Sequence, residues 1–379
     1  MDKILFMAPI VLAMFQAPFP KDPMLGEFEK QLSALEAVLV PDKRIELFEV
    51  EVVRSGTKWD IKGETTVVTA RDRVLQLAQS AFGGRLGKAD LKLLPDPGLG
   101  EKNQALVRVS VAPMRKTPKH AAEMVDQVVM GTPVRLLKEE GGWFLIQTPY
   151  RYLGWVEKLL LVRLTPREIE AWTSHGALAR YARLYGTVWS GPDQREPVSD
   201  IVLSCIVKTA PGQEGLTGVV LPDGRTGFLA PDSLRPVANS ALDKPRPAEI
   251  VRLALQLRGI PYLWGGNSTK GFDCSGFTQT VFRMNSIQLP RDADQQARQG
   301  TAVQPAADFS NLQPADLLFF GKERITHVGI SLGGPRFIHE SGDVHIRSLN
   351  PQDPDFDAGR RDSLKQVRRV INESPAGSK

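Results

Sequence analysis

Prolines and glycines break residues 106–240 into short apolar runs of strand length, and this punctuation limits the possible folds more than any other feature. The 379-residue chain holds 28 prolines and 33 glycines. A helix interior tolerates neither, Pro for want of an N–H and Gly for its backbone entropy. A helical bundle is therefore excluded here, while small barrels, which close without leaving a free strand edge, fit. At roughly 150 residues per domain the length predicts two or three domains, or more if they are small. Hydrophobic residues make up 42% and charged residues 24%, near the globular average, which argues against a disordered or membrane-embedded chain. The net charge of +5, with no dense Lys/Arg run, gives no reason to expect a nucleic-acid partner.

Residues 4–17 are one apolar run, preceded by Lys3 and followed by Pro18 and Lys21. The run is shorter than the roughly 20 residues a spanning helix needs. It reads as a secretory signal peptide over residues 1–23, which would make the protein periplasmic or extracellular. The competing reading is a partly buried segment of a cytoplasmic protein. No Cys follows the run, so neither a lipid anchor nor lasting membrane insertion is expected. Residues 24–39 place Phe28, Leu32, Leu35 and Leu39 at helical spacing. Two β-rich runs, 45–53 and 59–68, flank a turn, and a helix is expected over 71–82 with Val74, Leu75, Ala78, Ala81 and Phe82 on one face. With a possible strand at 90–94, residues 24–100 make a small α+β domain without evident chemistry.

Residues 101–165 and 166–240 carry a weak repeat. Pro149, Gly154, Trp155, Val156 and Leu161 recur as Pro222, Gly227, Phe228, Leu229 and Leu234. Both copies resemble bacterial Src-homology-3-like barrels, the first through Gly141-Gly-Trp-Phe-Leu-Ile and Tyr152-Leu-Gly-Trp-Val, the second faintly. Residues 166–184 between them read as helix. A Pro-containing linker around 239–247 leads to a helix over 248–257, with Ile250, Leu253, Ala254 and Leu257 on one face. Residues 241–379 form the last domain.

The chemistry concentrates in residues 259–284, where a Gly-rich loop ends in Asp273-Cys274-Ser275-Gly276 and Phe277, Val281 and Met284 then follow helical spacing. Cys205 and Cys274 are the only cysteines, too few for a disulfide scaffold. A thiol at a helix start meets unpaired N–H groups and the positive end of the dipole, which favours the nucleophilic thiolate. The plainer reading is a buried core thiol. A thiolate peptidase also needs an imidazole. His120 and His175 lie in other modules and read as surface residues. His327 begins one strand and His339 lies on the next, across Leu332-Gly-Gly-Pro335. A two-residue Gly-Gly turn would set His327 opposite Glu340, leaving His339 on the wrong face. A loop centred on Gly333 sets His327 directly opposite His339, with Cβ atoms about 4.5–5.5 Å apart, so that one ring can act as base and the other fix its tautomer. His345, past Gly342-Asp343, reads as solvent-facing. The His and Cys spacings match no metal-ligand pair, so no metal or other cofactor is expected.

Tyr262-x-Trp264-Gly-Gly, Phe272-Asp-Cys-Ser-Gly-Phe, Leu289-Pro-Arg-Asp, Pro314-x-Asp-Leu-Leu-Phe-Phe and His327-Val-Gly-Ile together resemble the NlpC-type papain-like cysteine peptidases of bacterial cell walls. The resemblance spans about residues 248–372. It implies a papain-like α+β catalytic domain with Cys274 as nucleophile, His327 as base and His339 as third polar residue. The whole is then a multidomain α+β chain: a small α+β domain, two SH3-like barrels and the peptidase. Chains of this layout resemble a branch that cleaves γ-D-glutamyl-L-diamino acid bonds of peptidoglycan stem peptides. By that resemblance Glu123, Tyr152 (or Tyr150), Asp273 and Ser275 would hold a free N-terminal amine, and Tyr262 and Trp264 would shape the pocket. Asp273 could equally serve as the helix cap and Glu123 as a solvated charge. An amidase or acyltransferase of the same fold, or a wall-binding protein without activity, are the alternatives. The expected partners are peptidoglycan-derived peptides, and a monomer is the default.

Overall fold

Apolar faces in each part of the chain pair helices with sheets. The computed structural model describes residues 22–174, 177–237 and 246–371. The apolar run at 4–17, His175 and most of the linker lie outside these residues. The chain divides into two units after Leu93.

In the first unit, helix α1 (Pro23–Leu39) starts where the Asp22 side chain accepts a hydrogen bond from the N–H of Met24, with Pro at the first turn. Strands β1 (Phe48–Ser55) and β2 (Lys58–Thr65) form a hairpin. Helix α2 (Val68–Phe82) then crosses over, so that β3 (Leu86–Leu93) pairs parallel to β2. Phe28, Trp59, Ile61, Val74, Ala78 and Phe82 are buried between helices and sheet, with the Phe28 and Phe82 rings 4.9 Å apart.

The second unit opens with residues 95–100, where the Asp96 N–H donates to the Leu137 carbonyl. Seven strands follow: β4 (Gln104–Val107), β5 (Val111–Arg115), β6 (Met124–Val129), β7 (Pro133–Glu140), β8 (Trp143–Gln147), β9 (Leu153–Glu157) and β10 (Leu161–Leu164). After helix α3 (Pro166–Thr173) come β11 (Leu178–Tyr181), β12 (Tyr185–Trp189), β13 (Pro197–Val202), β14 (Ile206–Gln213), β15 (Leu216–Val220), β16 (Thr226–Leu229) and β17 (Leu234–Pro236). The first sheet runs β10-β4-β7-β8-β9-β5-β6, and the second β17-β11-β14-β15-β16-β12-β13. Each strand thus sits where its counterpart seven strands earlier sits, and the faint repeat is a repeat of topology. Helix does not extend over 166–184 as its sequence suggested. It stops at Thr173, and Ala179 and Tyr181 alternate into the second barrel's core as a strand.

The remaining residues form helix α4 (Pro247–Gln256), a short hairpin of β18 (Asn267–Ser268) and β19 (Gly271–Phe272), helix α5 (Cys274–Met284) and the single-turn α6 (Ala293–Gln296). Then come β20 (Thr301–Val303), β21 (Leu317–Phe320), β22 (His327–Gly333), β23 (Arg336–Glu340), β24 (Val344–Ser348), α7 (Ala358–Ser363) and β25 (Leu364–Arg369). The six strands form an antiparallel sheet in the order β20-β25-β21-β22-β23-β24. Phe277, Val281 and Phe282 of α5 share one buried cluster with Val328, Ile330 and Ile338 of the sheet. Burying each such side chain is worth about 1.5–3 kcal/mol, and this packing fixes the helix that carries Cys274.

Candidate active site

Helix α5 begins at Cys274 because Asp273 caps it, its Oδ1 accepting from the Gly276 N–H at 2.8 Å. Gly276 is required by space: a Cβ there would lie 2.0 Å from the Gly266 carbonyl oxygen. The Cys274 sulfur meets the backbone N–H groups of Ser275 and of Val328, the residue after His327. Residues 274 and 327 are thereby brought together at the start of α5 and of β22.

Helix position alone suggests a thiolate, but burial opposes it and is the larger effect. A helix terminus stabilises a charge by about 0.3–1 kcal/mol, at most about 2, whereas desolvation shifts a pKa by up to several units. Burial, with the Asp273 carboxylate adding to it, pushes the Cys274 thiol up to about 12. Burial likewise pushes the His327 imidazole down to about 3, with Arg360 and His345 contributing. Both shifts favour a resting pair of neutral thiol and neutral imidazole.

His327 and His339 do meet, with Nε2 of the first 2.7 Å from Nδ1 of the second. The register that achieves this differs from the one expected. His339 lies opposite Gly329, Ile338 opposite Ile330 and Phe337 opposite Ser331, and Arg336 then pairs with Gly333. The turn itself would put the two imidazoles on opposite faces. A bulge between Ser331 and Gly333 inserts Leu332 as an extra residue and restores the common face. The rings are diagonal neighbours, not directly opposed, within reach for long side chains.

His345 is not solvent-facing as its place after Gly342-Asp343 suggested. Strand β24 returns beside β23 and pairs His345 with His339. The two Nε2 atoms are 3.1 Å apart, and Nδ1 of His345 lies 2.8 Å from Oδ1 and 2.9 Å from the carbonyl oxygen of Asp343. The side chain is 25% exposed. His120, by contrast, is 78% exposed, near Glu157 of the first barrel. Burial pushes His339 down to about 2, with His327 and His345 adding.

Asp273 is saturated. Its Oδ1 accepts from Gly276, from Ser275 Oγ at 3.1 Å and from Arg291 Nη1 at 3.0 Å, and its Oδ2 from Gly265 N–H at 3.1 Å and Arg291 Nη2 at 2.5 Å. Arg291, 1% exposed, also donates from Nε to Asp126 of the first barrel at 2.6 Å. Tyr150 donates to Asp126 as well, while Tyr152, also buried, donates to Asp292 at 3.0 Å. The two tyrosines therefore face different carboxylates. Tyr262 and Trp264 are 40% and 62% exposed. Burial, with the charges of Asp273 and Cys274 adding to it, pushes the Tyr262 phenol up to about 12. The Trp264 indole donates to Glu123 Oε1 of the first barrel at 3.1 Å, and Glu123 also pairs with Lys116. Gly265, at φ +72°, lets the loop lie against the barrel, since a Cβ there would be 2.4 Å from the Met124 carbonyl oxygen.

Both barrels hold the hairpin that leads into Cys274. Gln127 Oε1 accepts from Asn267 N–H and Ser268 Oγ, and Asp126 from Asn267 Nδ2. From the second barrel, Tyr185 donates to the Thr269 carbonyl and Asp200 pairs with Lys270 at 2.6 Å. Sequence reasoning quoted Arg291 within a motif but did not foresee its role. A charged residue between Leu289-Pro290 and a capping Asp was the available signal.

Glu340 was also missed. It is 0% exposed, and neither carboxyl oxygen has a hydrogen-bond partner among the described residues. Burial pushes it up to about 8, with Asp343 and Asp273 adding. Between its ordinary value and about 8 the unfolded chain has released this proton and the native state has not, so stability falls as pH rises through that window. Glu340→Gln should abolish this slope, worth about 3–5 kcal/mol at roughly 1.4 kcal/mol per unit. Urea denaturation of both proteins at pH 5 and pH 8 measures it, and parallel slopes would show that Glu340 ionises freely. Among the described residues no cluster of three His, Cys, Asp or Glu is placed to hold a metal ion.

Comparison with known proteins agrees with this architecture. Residues 259–356 match the NlpC/P60 family and residues 110–161 the bacterial SH3 domain. The chain is 31% identical over 225 residues to the gamma-D-glutamyl-L-lysine dipeptidyl-peptidase of Bacillus subtilis, covering 56% of this chain and 71% of that one. It is 27% identical to dipeptidyl-peptidase 6 of Lysinibacillus sphaericus, covering 66% and 93%. An NlpC/P60 family protein from Bacillus cereus shares the fold at a TM-score of 0.62 and 20% identity, covering 71% of this chain and all of that one. Matched in sequence over most of a relative's length, the chain belongs to the NlpC/P60 family of cysteine peptidases that act on cell-wall peptides.

Proposed function

We propose that the protein hydrolyses the γ-D-glutamyl-L-diamino acid bond of peptidoglycan stem peptides whose N-terminal L-Ala carries a free amine. The observation that carries this reading is the contact between Glu123 of the first barrel and Trp264 beside the nucleophile loop. It brings a barrel carboxylate up to the loop that leads into Cys274, where it can meet the N-terminal amine of a bound peptide. The names of the two curated relatives, both dipeptidyl-peptidases, support the same choice. In this reading Cys274 attacks the γ-carbonyl carbon while His327 takes the thiol proton, with His339 orienting that ring. The tetrahedral intermediate collapses to a thioester as His327 returns the proton to the leaving amine, and water then releases the acyl group.

The ammonium would lie among Glu123, Tyr152, Asp273 and Ser275, over the walls formed by Tyr262 and Trp264. Because Asp273 already carries five hydrogen bonds, its contribution is charge more than a free acceptor. Arg291 is shared between Asp273 and Asp126, and one guanidinium does not balance two carboxylates. Glu123 is the more available partner. A free tripeptide should be cleaved at least about 100-fold faster than its N-acetyl form, since acylation removes the charge and leaves polar groups of the site without partners. Mass spectrometry of the products gives the bond and the rate together. Equal rates would remove amine recognition, and a preference that survives Glu123→Ala would remove Glu123 alone from it. The apolar run at 4–17 supports export to the periplasm or beyond, and fractionation of cells carrying the full chain tests that placement.

A further inference from the structure

The imidazole row has only one consistent proton order. Nδ1 of His345 faces two acceptors, the carboxylate and the carbonyl oxygen of Asp343, so it must carry a proton. A neutral His345 then has its lone pair on Nε2, and Nε2 of His339, 3.1 Å away, must donate to it. That leaves Nδ1 of His339 as an acceptor, and Nε2 of His327, 2.7 Å away, must donate in turn. The remaining nitrogen of His327, Nδ1, is therefore the bare one. Any other order sets two protons or two lone pairs against each other.

We propose that His345, seated on Asp343, is a positioning residue that fixes the proton order of all three imidazoles, so that His327 offers an unprotonated Nδ1 as the base. This rests on the reading of His327 as the base and adds what sets its tautomer. It also makes the row sensitive to acid. A proton added to Nε2 of His345 would face the proton on Nε2 of His339. That ring must then donate through Nδ1 instead, His327 must accept at Nε2, and its proton moves to Nδ1, where the base is blocked. The groups facing His345 are Asp343 in the turn and His339 on β23, while Arg347 on β24 and Arg360 on α7 act by charge on His339. The two arginines disfavour an added proton on His339.

Two variants and one spectrum test this on the full chain. His345→Phe has no acceptor for His339 and should lower kcat by about 10–100-fold with KM little changed, the usual size of such supporting contacts. His345→Gln offers an amide oxygen in place of Nε2 and takes no proton. It should recover much of the lost rate, and the acid limb of its kcat profile should move to lower pH by about one unit or more. Nitrogen-15 NMR of histidine-labelled wild type, assigned against His327→Ala, should show His327 protonated at Nε2 and bare at Nδ1 at pH 8. The opposite tautomer, or an acid limb unmoved in His345→Gln, would overturn the proposal even if either variant were poorly folded. Should His327→Ala keep its activity, the reading of the base fails instead, and the two failures are distinct.

Discussion

Cys274→Ala is expected to abolish hydrolysis, by at least about 10⁴-fold, while leaving the fold in place. No other group among the described residues stands at the start of α5 with backbone N–H groups aimed at it. The cap and the Arg291 network do not involve the sulfur, and Cys274 only flanks the buried cluster that holds Phe277. The neutral resting pair adds a sharper expectation. Iodoacetamide reacts with thiolate, so labelling of Cys274 should keep rising about tenfold per pH unit above neutrality. A stable thiolate–imidazolium pair would instead give a plateau across pH 5–8, and observing one would refute the neutral pair. Cys205 is an internal control: fully buried, donating to the Ser110 carbonyl and pushed up to about 12 by burial, it should label only on unfolding.

The parts of this site legible in the sequence are those that local rules decide. The spacing of Phe277, Val281 and Met284 after a Gly-rich loop placed the helix start at Cys274, while for His327 and His339 the sequence left two registers, of which only one brings the rings together. What escaped depended on distant pairing. A single bulged residue, Leu332, decides the parity of the hairpin, and neither the turn type nor the Gly-Gly pair reveals it. His345 looked exposed because it follows a Gly-Asp turn, yet strand β24 brings it back against His339. The upward push that burial gives the Cys274 thiol likewise depends on how the start of α5 packs, which a helix start does not disclose. The repeat in the barrels was faint in residues and plain in strand order, since topology is kept by packing positions that many side chains can fill.

Arg291→Met should destabilise the second unit by about 3–5 kcal/mol, the usual cost of removing one partner from a buried ion pair. Met keeps the length and apolar bulk of the stem, so packing is largely preserved and charge is what changes. Two buried carboxylates, Asp126 and Asp273, then lose their shared guanidinium. Asp273 keeps its bonds to Gly276 and Gly265, so α5 should still start at Cys274. Asp126 likewise keeps its bonds from Tyr150, Asn267 and the Gln127 N–H, but it is the more deeply buried of the two. Burial already raises its carboxyl above the ordinary range, and Arg291 is the main opposing influence. It should take up a proton in the variant, making unfolding more sensitive to alkali: as pH rises, the unfolded chain releases that proton and the native state holds it. Adding Asp126→Asn to Arg291→Met removes that buried acid and should recover part of the loss, with the extra pH dependence gone. Denaturant unfolding of the single and double variants at pH 6 and pH 8 measures both effects. A loss below about 1 kcal/mol for Arg291→Met would place the pair in the class of weak surface bridges and remove it as the link between barrel and catalytic domain. A large loss that the second substitution leaves untouched would locate the cost at Asp273, beside the nucleophile, so that the same residue would then couple stability to the geometry of the thiol.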